Sequence, residues 1–277
     1  MNLNTLRLGL IGDNIHASRS PLLHRLAGEM LGRPTTYDSL IPAELGQDFH
    51  EVFANCARDY RGINVTYPYK EVAARKVVVD DPLVHGIGAV NTVLFEPEGP
   101  KGHNTDYSGF RAAYARVRGD TSPGTVLMIG TGGVGRAVAF GLAGLGAAAL
   151  RVVDQDCAKA ETLAAELRAV APGRTVEVYR DAVLAAHDAD GLINCTPVGM
   201  EGYPGTPLPQ TAMARASWAF DAVYTPEHTQ FLTEAKASGL QIISGWELYF
   251  YQGVHASRLF TGRCLDEDLL RARLRED

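Results

Sequence analysis

At 277 residues and 46% hydrophobic content, the chain is large enough for two packed cores, so two domains are expected. Its formal net charge of -6, with acids and bases interspersed, offers no basic stripe that would follow a phosphodiester backbone, which argues against a nucleic-acid partner. Cys56, Cys157, Cys195 and Cys264 show no CxxC pair and no zinc-ligand spacing, so they read as reduced thiols with no metal site. From the N-terminus, short apolar runs alternate with helical patterns: Leu6 to Ile11, a helix over Leu22 to Leu31, Thr36 to Ile41, a helix over Glu44 to Cys56, then Gly62 to Thr66. This rhythm implies a parallel or mixed sheet with helices on its faces. Val90 to Glu96 is a further strand, running into a turn at Pro97-Glu98-Gly99-Pro100, and the first domain is expected to close near residue 103.

After a helix over Tyr107 to Arg118, a second alternating series begins. Its strands are predicted at Thr125 to Ile129, Ala149 to Val153, Thr175 to Tyr179, Gly191 to Asn194, Trp218 to Ala222 and Gln241 to Ile243, with helices between them such as Asp156 to Val170. Six such strands suit a dinucleotide-binding sheet. From Gly245 the chain is helical again, through Tyr249 to Thr261 and Asp266 to Leu274, and with no strand left to pair this tail is expected to pack back on the first domain. The expected organisation is therefore an α/β protein. Residues 1–103 and 244–277 form a mixed-sheet domain, and residues 104–243 form a Rossmann-like domain. No run reaches the length needed to cross a bilayer, and Met1 to Gly12 lacks a basic segment followed by a long apolar one, so a cytoplasmic protein without a membrane partner is expected. No heptad or long apolar edge fixes the oligomeric state, which is left as monomer or homodimer.

Gly130-Thr131-Gly132-Gly133-Val134-Gly135 follows an apolar strand and opens a helix, the context in which a G-x-G-x-x-G run signals dinucleotide binding. Missing side chains permit a tight turn and bring a pyrophosphate to backbone amides at a helix N-terminus. Asp154 ends the next strand, where a carboxylate can accept bonds from both ribose hydroxyls and would repel a 2′-phosphate. Gln155 and Asp156 supply no arginine for that phosphate, so NAD is preferred and NADP is the alternative. Against this reading, Asp154 has the composition of a helix N-cap for the segment beginning at Cys157, and Arg136 and Arg151 are the residues able to reverse the preference.

Asn64-Val65-Thr66-Tyr67-Pro68-Tyr69-Lys70 places a lysine just beyond a strand end, with Pro68 disfavouring further pairing. Gly102 to Gly109 contains Asp106, a carboxylate partner for it, and a lysine with an aspartate in one cleft suggests proton exchange with a hydroxyl. A surface ion pair is the ordinary alternative. Ser18-Arg19-Ser20-Pro21 lies between the first strand and a helix, where two hydroxyls could hold a carboxylate. Ser20 before Pro21 also has the makings of an N-cap, a role that does not exclude ligand contact, whereas Ser18 has less structural reason to be serine. Asn64, Thr66, Asn91 and Gln252 are uncharged groups suited to distinguishing ring hydroxyls, although an Asn at a strand end is often a turn residue and a helical Gln is often solvated. His24 reads as a packing residue. Tyr67, Tyr69, Trp246, Tyr249 and Tyr251 read as packing at least as readily as lining a site mouth.

Ser18-x-Ser20-Pro21-x-x-His24, Asn64-x-Thr66-x-Pro68-x-Lys70, Gly88-Ala89-Val90-Asn91-Thr92, Asn104-Thr105-Asp106 and Asn194-x-Thr196-Pro197-x-Gly199-Met200 occur in that order. Together with Asp221-x-Val223-Tyr224-x-Pro226 and Gly245 to Gln252, they resemble the shikimate dehydrogenase family over nearly the whole chain. The resemblance implies a two-domain oxidoreductase moving hydride between a nicotinamide and the ring alcohol of shikimate, with the active site in the cleft between its domains. It implies Lys70 and Asp106 as the catalytic pair, Ser18 and Ser20 at the substrate carboxylate, and Asn64, Thr66, Asn91, Tyr224 and Gln252 around the ring. Thr196, Met200 and Gly245 fall on the cofactor side. The sequence departs from the family where Asn-Arg-Thr usually grips NADP, reading Asp154-Gln155-Asp156 instead, which resembles NAD-using members that oxidise quinate or shikimate or handle aminoshikimate-like compounds. Arg25, where many members have Asn, is a lesser departure. A catalytically silent NAD-sensing module is the rival from another class, and retention of both Lys70 and Asp106 speaks against it.

Overall fold

The computed structural model describes residues 5–276; residues 1–4 and 277, at the ends of the predicted first domain, lie outside the described residues. The chain divides into two compact units. One runs through Thr105 and resumes at Gln252, and the other is Asp106–Tyr251. Contacts thus divide the chain at 105/106 and 251/252, where the sequence pattern placed the breaks at 103/104 and 243/244.

The first unit contains β1 (Leu6–Ile11), α1 (Ser20–Met30), β2 (Thr35–Leu40), α2 (Pro42–Leu45), α3 (Phe49–Asp59), β3 (Gly62–Val65), α4 (Lys70–Ala74), α5 (Pro82–Ile87), β4 (Thr92–Glu96) and β5 (Gly99–His103). The strands form one sheet in the order β2-β1-β3-β4-β5. β1 pairs in parallel with β2 and β3, while β3 with β4 and β4 with β5 are antiparallel, so the sheet is mixed. One helix was expected over Glu44 to Cys56, and two are found. Gly46 takes the left-handed conformation (φ 63) that ends α2, and Asp48 with Glu51 forms a reciprocal capping box that starts α3. β5 replaces part of the expected turn. It is an edge strand, where Pro100 costs no ladder bond on the outer side.

Ile11, Phe49, Phe53, Ile63, Val65 and Val93 form the core on one face of this sheet, while Leu6, Leu8, Leu94 and Phe260 pack on the other. A Cβ on Gly62 would lie 2.6 Å from the Phe260 ring, so glycine there lets the C-terminal part of the chain settle onto the sheet. Leu270 and Leu274 of the terminal helix are buried, Arg19 donates to the Leu274 carbonyl at 2.8 Å, and Arg273 pairs with Glu29 at 2.6 Å. The C-terminal segment therefore packs back on the first unit, as the sequence implied.

The second unit opens with α6 (Thr105–Arg118), whose first residue closes the first unit. It comprises β6 (Thr125–Ile129), α7 (Gly133–Gly144), β7 (Ala149–Val153), α8 (Cys157–Val170), β8 (Thr175–Tyr179), α9 (Ala182–Ala186), β9 (Gly191–Asn194), β10 (Trp218–Asp221), α10 (Gln230–Ala237) and β11 (Gln241–Ile243). α11 (Gly245–Thr261) starts here and ends in the first unit, and α12 (Glu267–Glu276) completes the chain. The sheet order is β11-β10-β9-β6-β7-β8 with every pairing parallel. That is the doubly wound dinucleotide topology, and its order reverses between β6 and β9. Ligands of such sheets bind at the carboxyl ends of the strands flanking the reversal, which makes the segments after Ile129 and Asn194 the place to look for a candidate site.

Candidate functional site

In the first unit, strand direction gathers the predicted residues. β1, β3 and β5 run one way and β4 the other, so the ends of β1, β3 and β5 and the start of β4 share one edge of the sheet. Ser18 and Ser20 follow β1, Thr66 and Lys70 follow β3, Asn91 precedes β4, and Asn104-Thr105-Asp106 follows β5. Asn64 lies within β3 and is 6% exposed.

Hydrogen-bond bookkeeping assigns a polarity to both asparagines. Asn64 Nδ2 donates to the Asn91 carbonyl at 3.2 Å and to Thr92 Oγ1 at 3.0 Å, and its Oδ1 accepts from Tyr37 Oη at 2.9 Å. Both amide hydrogens are spent, and His24 also hydrogen-bonds the Asn64 side chain, so what Asn64 can offer a ligand is acceptance at Oδ1 beside Tyr37 and His24. Asn91 Oδ1 accepts from Thr92 Oγ1 and Thr105 Oγ1, each at 3.1 Å, and from the Thr105 N–H at 2.7 Å. Its oxygen is saturated, so what Asn91 can still offer is its Nδ2 donor. Thr105, to which no role was assigned from sequence, thereby ties the start of α6 to Asn91. Asp106 comes next in the chain, 7% exposed in the first turn of that helix.

Lys70 opens α4, and its carbonyl accepts from the Val90 N–H at 3.1 Å. The turn before it is pinned by Tyr69 N–H to the Thr66 carbonyl at 2.9 Å, Asp13 N–H to the Tyr67 carbonyl at 3.2 Å, and Tyr69 Oη to Asp13 Oδ1 at 2.6 Å. The bond to Asp13 pushes the Tyr69 phenol up to about 12, and its ring stacks on Phe49 at 4.9 Å. Two serine expectations change. α1 begins at Ser20 with Arg19 as the N-cap, whose side chain makes no capping bond, so Ser20 is not the N-cap. Ser18 Oγ instead accepts from the Ser20 N–H at 3.3 Å, which gives Ser18 the local role and leaves the Ser20 hydroxyl without one. His24 is 2% exposed and stacks on Tyr37, and burial pushes it down to about 3, so it is a neutral packing residue as expected.

In the second unit, the glycines separate into two kinds. Gly130 has φ +98, and a Cβ there would lie 2.7 Å from the Cys195 carbonyl carbon; a Cβ on Gly135 would lie 2.2 Å from the Gly130 oxygen. Those two are required by the turn itself. Gly132 and Gly133 have ordinary φ and would meet nothing within 4 Å. Among the described residues nothing lies close enough to require glycine at those two positions, which leaves open space beside the start of α7. Val134 lies in the first turn of that helix.

Asp154 Oδ2 accepts from Thr131 N–H and Thr131 Oγ1, both at 2.7 Å, and Oδ1 accepts from the Asp156 N–H at 2.9 Å. Burial disfavours its charge, but these bonds outweigh burial and hold its pKa below the usual value. One acceptor position is left for a ribose hydroxyl, where two were expected. The N-cap of α8 is Asp156, which accepts from Ala158 and Lys159 N–H groups, so the capping reading of Asp154 is not what the structure adopts. Arg151 is held by the Ala185 and His187 carbonyls and Arg136 pairs with Glu166 at 2.6 Å.

Past β9, Thr196 Oγ1 donates to Asn194 Oδ1 at 2.7 Å and accepts from the Val198 N–H at 3.2 Å. Asn194 also donates to Asp221 Oδ1 at 3.0 Å, and Thr229 Oγ1 donates to Asp221 Oδ2 at 2.6 Å, a buried network the sequence reading did not anticipate. Its members lie 27 and 8 residues apart, and only strand pairing brings Asn194 beside Asp221. Met200 is 40% exposed, and Tyr224 stacks on Tyr249 at 5.5 Å. A Cβ on Gly245 would lie 2.4 Å from the Val223 carbonyl oxygen, so this glycine has a packing reason independent of any nicotinamide. Gln252 is the first α11 residue counted with the first unit, whereas Asp106 and Tyr224 are counted with the second.

Residues 10–93 match the family described as shikimate dehydrogenase substrate binding domain. The chain is 36% identical to a quinate/shikimate dehydrogenase (NAD(+)) of Corynebacterium efficiens, covering 98% of each chain. It is also 36% identical to a shikimate dehydrogenase (NADP(+)) of an Arthrobacter species, over 97% of this chain and 94% of that one. Among solved structures it resembles quinate dehydrogenase from Corynebacterium glutamicum in complex with NAD, with a TM-score of 0.91, 32% identity and 99% of each chain covered.

Proposed function

Since this chain belongs to the shikimate dehydrogenase family, we propose that it catalyses reversible hydride transfer between NAD(H) and the ring alcohol of shikimate, with 3-dehydroshikimate as the ketone. The observation that carries the reading is the common sheet edge onto which β1, β3, β4 and β5 deliver Ser18, Ser20, Thr66, Lys70 and Asn91. On this reading the Ser18 and Ser20 hydroxyls take the substrate carboxylate, and Asn64, Thr66, Asn91, Tyr224 and Gln252 take its ring. Asn64 accepts from a ring hydroxyl and Asn91 donates to one, the division their existing bonds leave open. Lys70 Nζ receives the hydroxyl proton as the carbinol hydrogen departs, Asp106 orients Lys70 and the hydroxyl, and the nicotinamide supplies the hydride acceptor.

The cofactor is held by Gly130 to Gly135 at the start of α7, with Asp154 on the ribose and Thr196, Met200 and Gly245 toward the nicotinamide. NAD is preferred because Asp154 is ionised where a 2′-phosphate would lie, and because Arg151 and Arg136 are both committed to other partners. Quinate is the second substrate reading, favoured by relatives whose names join quinate to shikimate.

Initial rates on shikimate, quinate and aminoshikimate with NAD and NADP, for wild type and Lys70→Ala, test all of this together. NAD should exceed NADP in kcat/KM by at least about tenfold, a difference of about 1.4 kcal/mol. Lys70→Ala should lower kcat by about 10²- to 10⁴-fold while changing substrate affinity little. Equal use of NADP overturns the cofactor reading, and surviving turnover in the variant overturns the acid-base assignment.

A further inference from the structure

Tyr37 has no place among the residues the sequence singled out, yet it fixes one that matters. It stands on the edge strand β2 and pairs with Leu8 of β1, while Asn64 of β3 pairs with Leu10. Leu8 and Leu10 are two residues apart, so Tyr37 and Asn64 lie on the same face of the sheet. The phenol reaches across β1 to donate to Asn64 Oδ1 at 2.9 Å. Its ring lies flat on His24, centroids 4.8 Å apart and planes within 6° of parallel, and the edge of that stack is closed by Phe260, 5.6 Å from His24. His24 is buried, and burial pushes its pKa down, so the platform beneath Tyr37 favours the neutral imidazole.

We propose that Tyr37 is a positioning residue for substrate recognition: its hydroxyl, held in place by the His24 stack, fixes the Asn64 amide so that Asn64 meets the substrate as a hydrogen-bond acceptor. The inference rests on the reading of Asn64 as a ring-hydroxyl contact. Asn64 Nδ2 is anchored by the Asn91 carbonyl and Thr92 Oγ1, Tyr37 is a third tether that donates to the oxygen, and His24 also hydrogen-bonds this side chain. With these partners in place, the Asn64 amide keeps its nitrogen toward Asn91 and Thr92 and its oxygen toward Tyr37, and has no freedom to turn. Removing the third tether lets the oxygen move while the fold keeps its ring packing.

The test is Tyr37→Phe, which keeps the ring on His24 and deletes only the donor. Neutral hydrogen bonds of this kind correspond to about a 3- to 10-fold change, so KM for shikimate or quinate should rise by about that factor while kcat stays within about twofold. In an Asn64→Ala background the same change should leave KM unmoved, because the group it positions is gone. A purely structural Tyr37 would instead lower the melting temperature equally in both backgrounds and lower kcat with KM. That result, or a KM for Tyr37→Phe equal to wild type in an active enzyme, overturns the proposal alone. A wild type that turns over no cyclic hydroxy acid with either cofactor overturns the reading of function, and this proposal with it.

Discussion

Asp221 has no exposed surface, and burial lifts its pKa to about 6 despite hydrogen bonds from Thr229, the Val223 N–H and Asn194. Its folded value thus lies above the unfolded value near 3.8. A group of that kind contributes stability fully below the unfolded value and loses it as pH rises through the folded one. Asp221→Asn cannot ionise and keeps the acceptor that Asn194 and Val223 use. Urea unfolding from pH 4 to pH 7 should therefore move the stability difference in favour of the variant by on the order of 2–3 kcal/mol. A difference that does not change with pH would mean Asp221 does not titrate in this window. Asp221 was visible in the sequence only as a motif position and Tyr37 not at all, because what gives each its role is a partner 27 residues away: Asn194 for Asp221 and Asn64 for Tyr37. Lys70, Asp106 and the two serines were named from residue type and local spacing alone, without a partner distant in the chain.

The strand-to-helix turn from β6 to α7 shows how one element serves both fold and ligand. Gly130→Ala places a side chain at φ +98 against the Cys195 backbone and should destabilise the protein by at least about 2 kcal/mol. Gly132→Ala meets nothing in the protein and should leave the melting temperature at or slightly above wild type. It should nevertheless weaken NAD binding by about tenfold or more, about 1.4 kcal/mol, because its methyl occupies the approach to the α7 amides. Thermal unfolding and calorimetric titration separate the two effects. If Gly132→Ala bound NAD as wild type does, the dinucleotide would not pass that position. At this scale the buried parallel strands were readable from their apolar runs. β5 was not, since Gly99-Pro100-Lys101-Gly102-His103 lacks apolar alternation and owes its pairing to β4. Gly102 is glycine there because a Cβ would lie 2.3 Å from Val77.

Across the whole chain, the two units differ from the sequence partition for identifiable reasons. Asn104 Nδ2 donates to the Ala89 carbonyl and Thr105 bonds Asn91, which carries the first unit two residues past the predicted break. α11 is continuous across 251/252, so a reading that breaks the chain at the start of a helix cannot see a division inside one. Each unit has its own core and its own set of strand ends that present ligand groups. A ligand stabilises the segments it contacts, and exchange of their amides slows accordingly. In hydrogen exchange on the full chain, NAD alone should protect residues 130–136 and 154–156, whereas shikimate or quinate alone should protect residues 18–24 and 64–74. The distinction follows from where the polar groups are anchored: Asp154 bonds Thr131 within Asp106–Tyr251, and Asn64 bonds Tyr37 and Asn91 bonds Thr105 within the other unit. Protection of the 130–136 turn by the cyclic acid in the absence of any nucleotide would show that the assignment of one ligand to each unit is wrong.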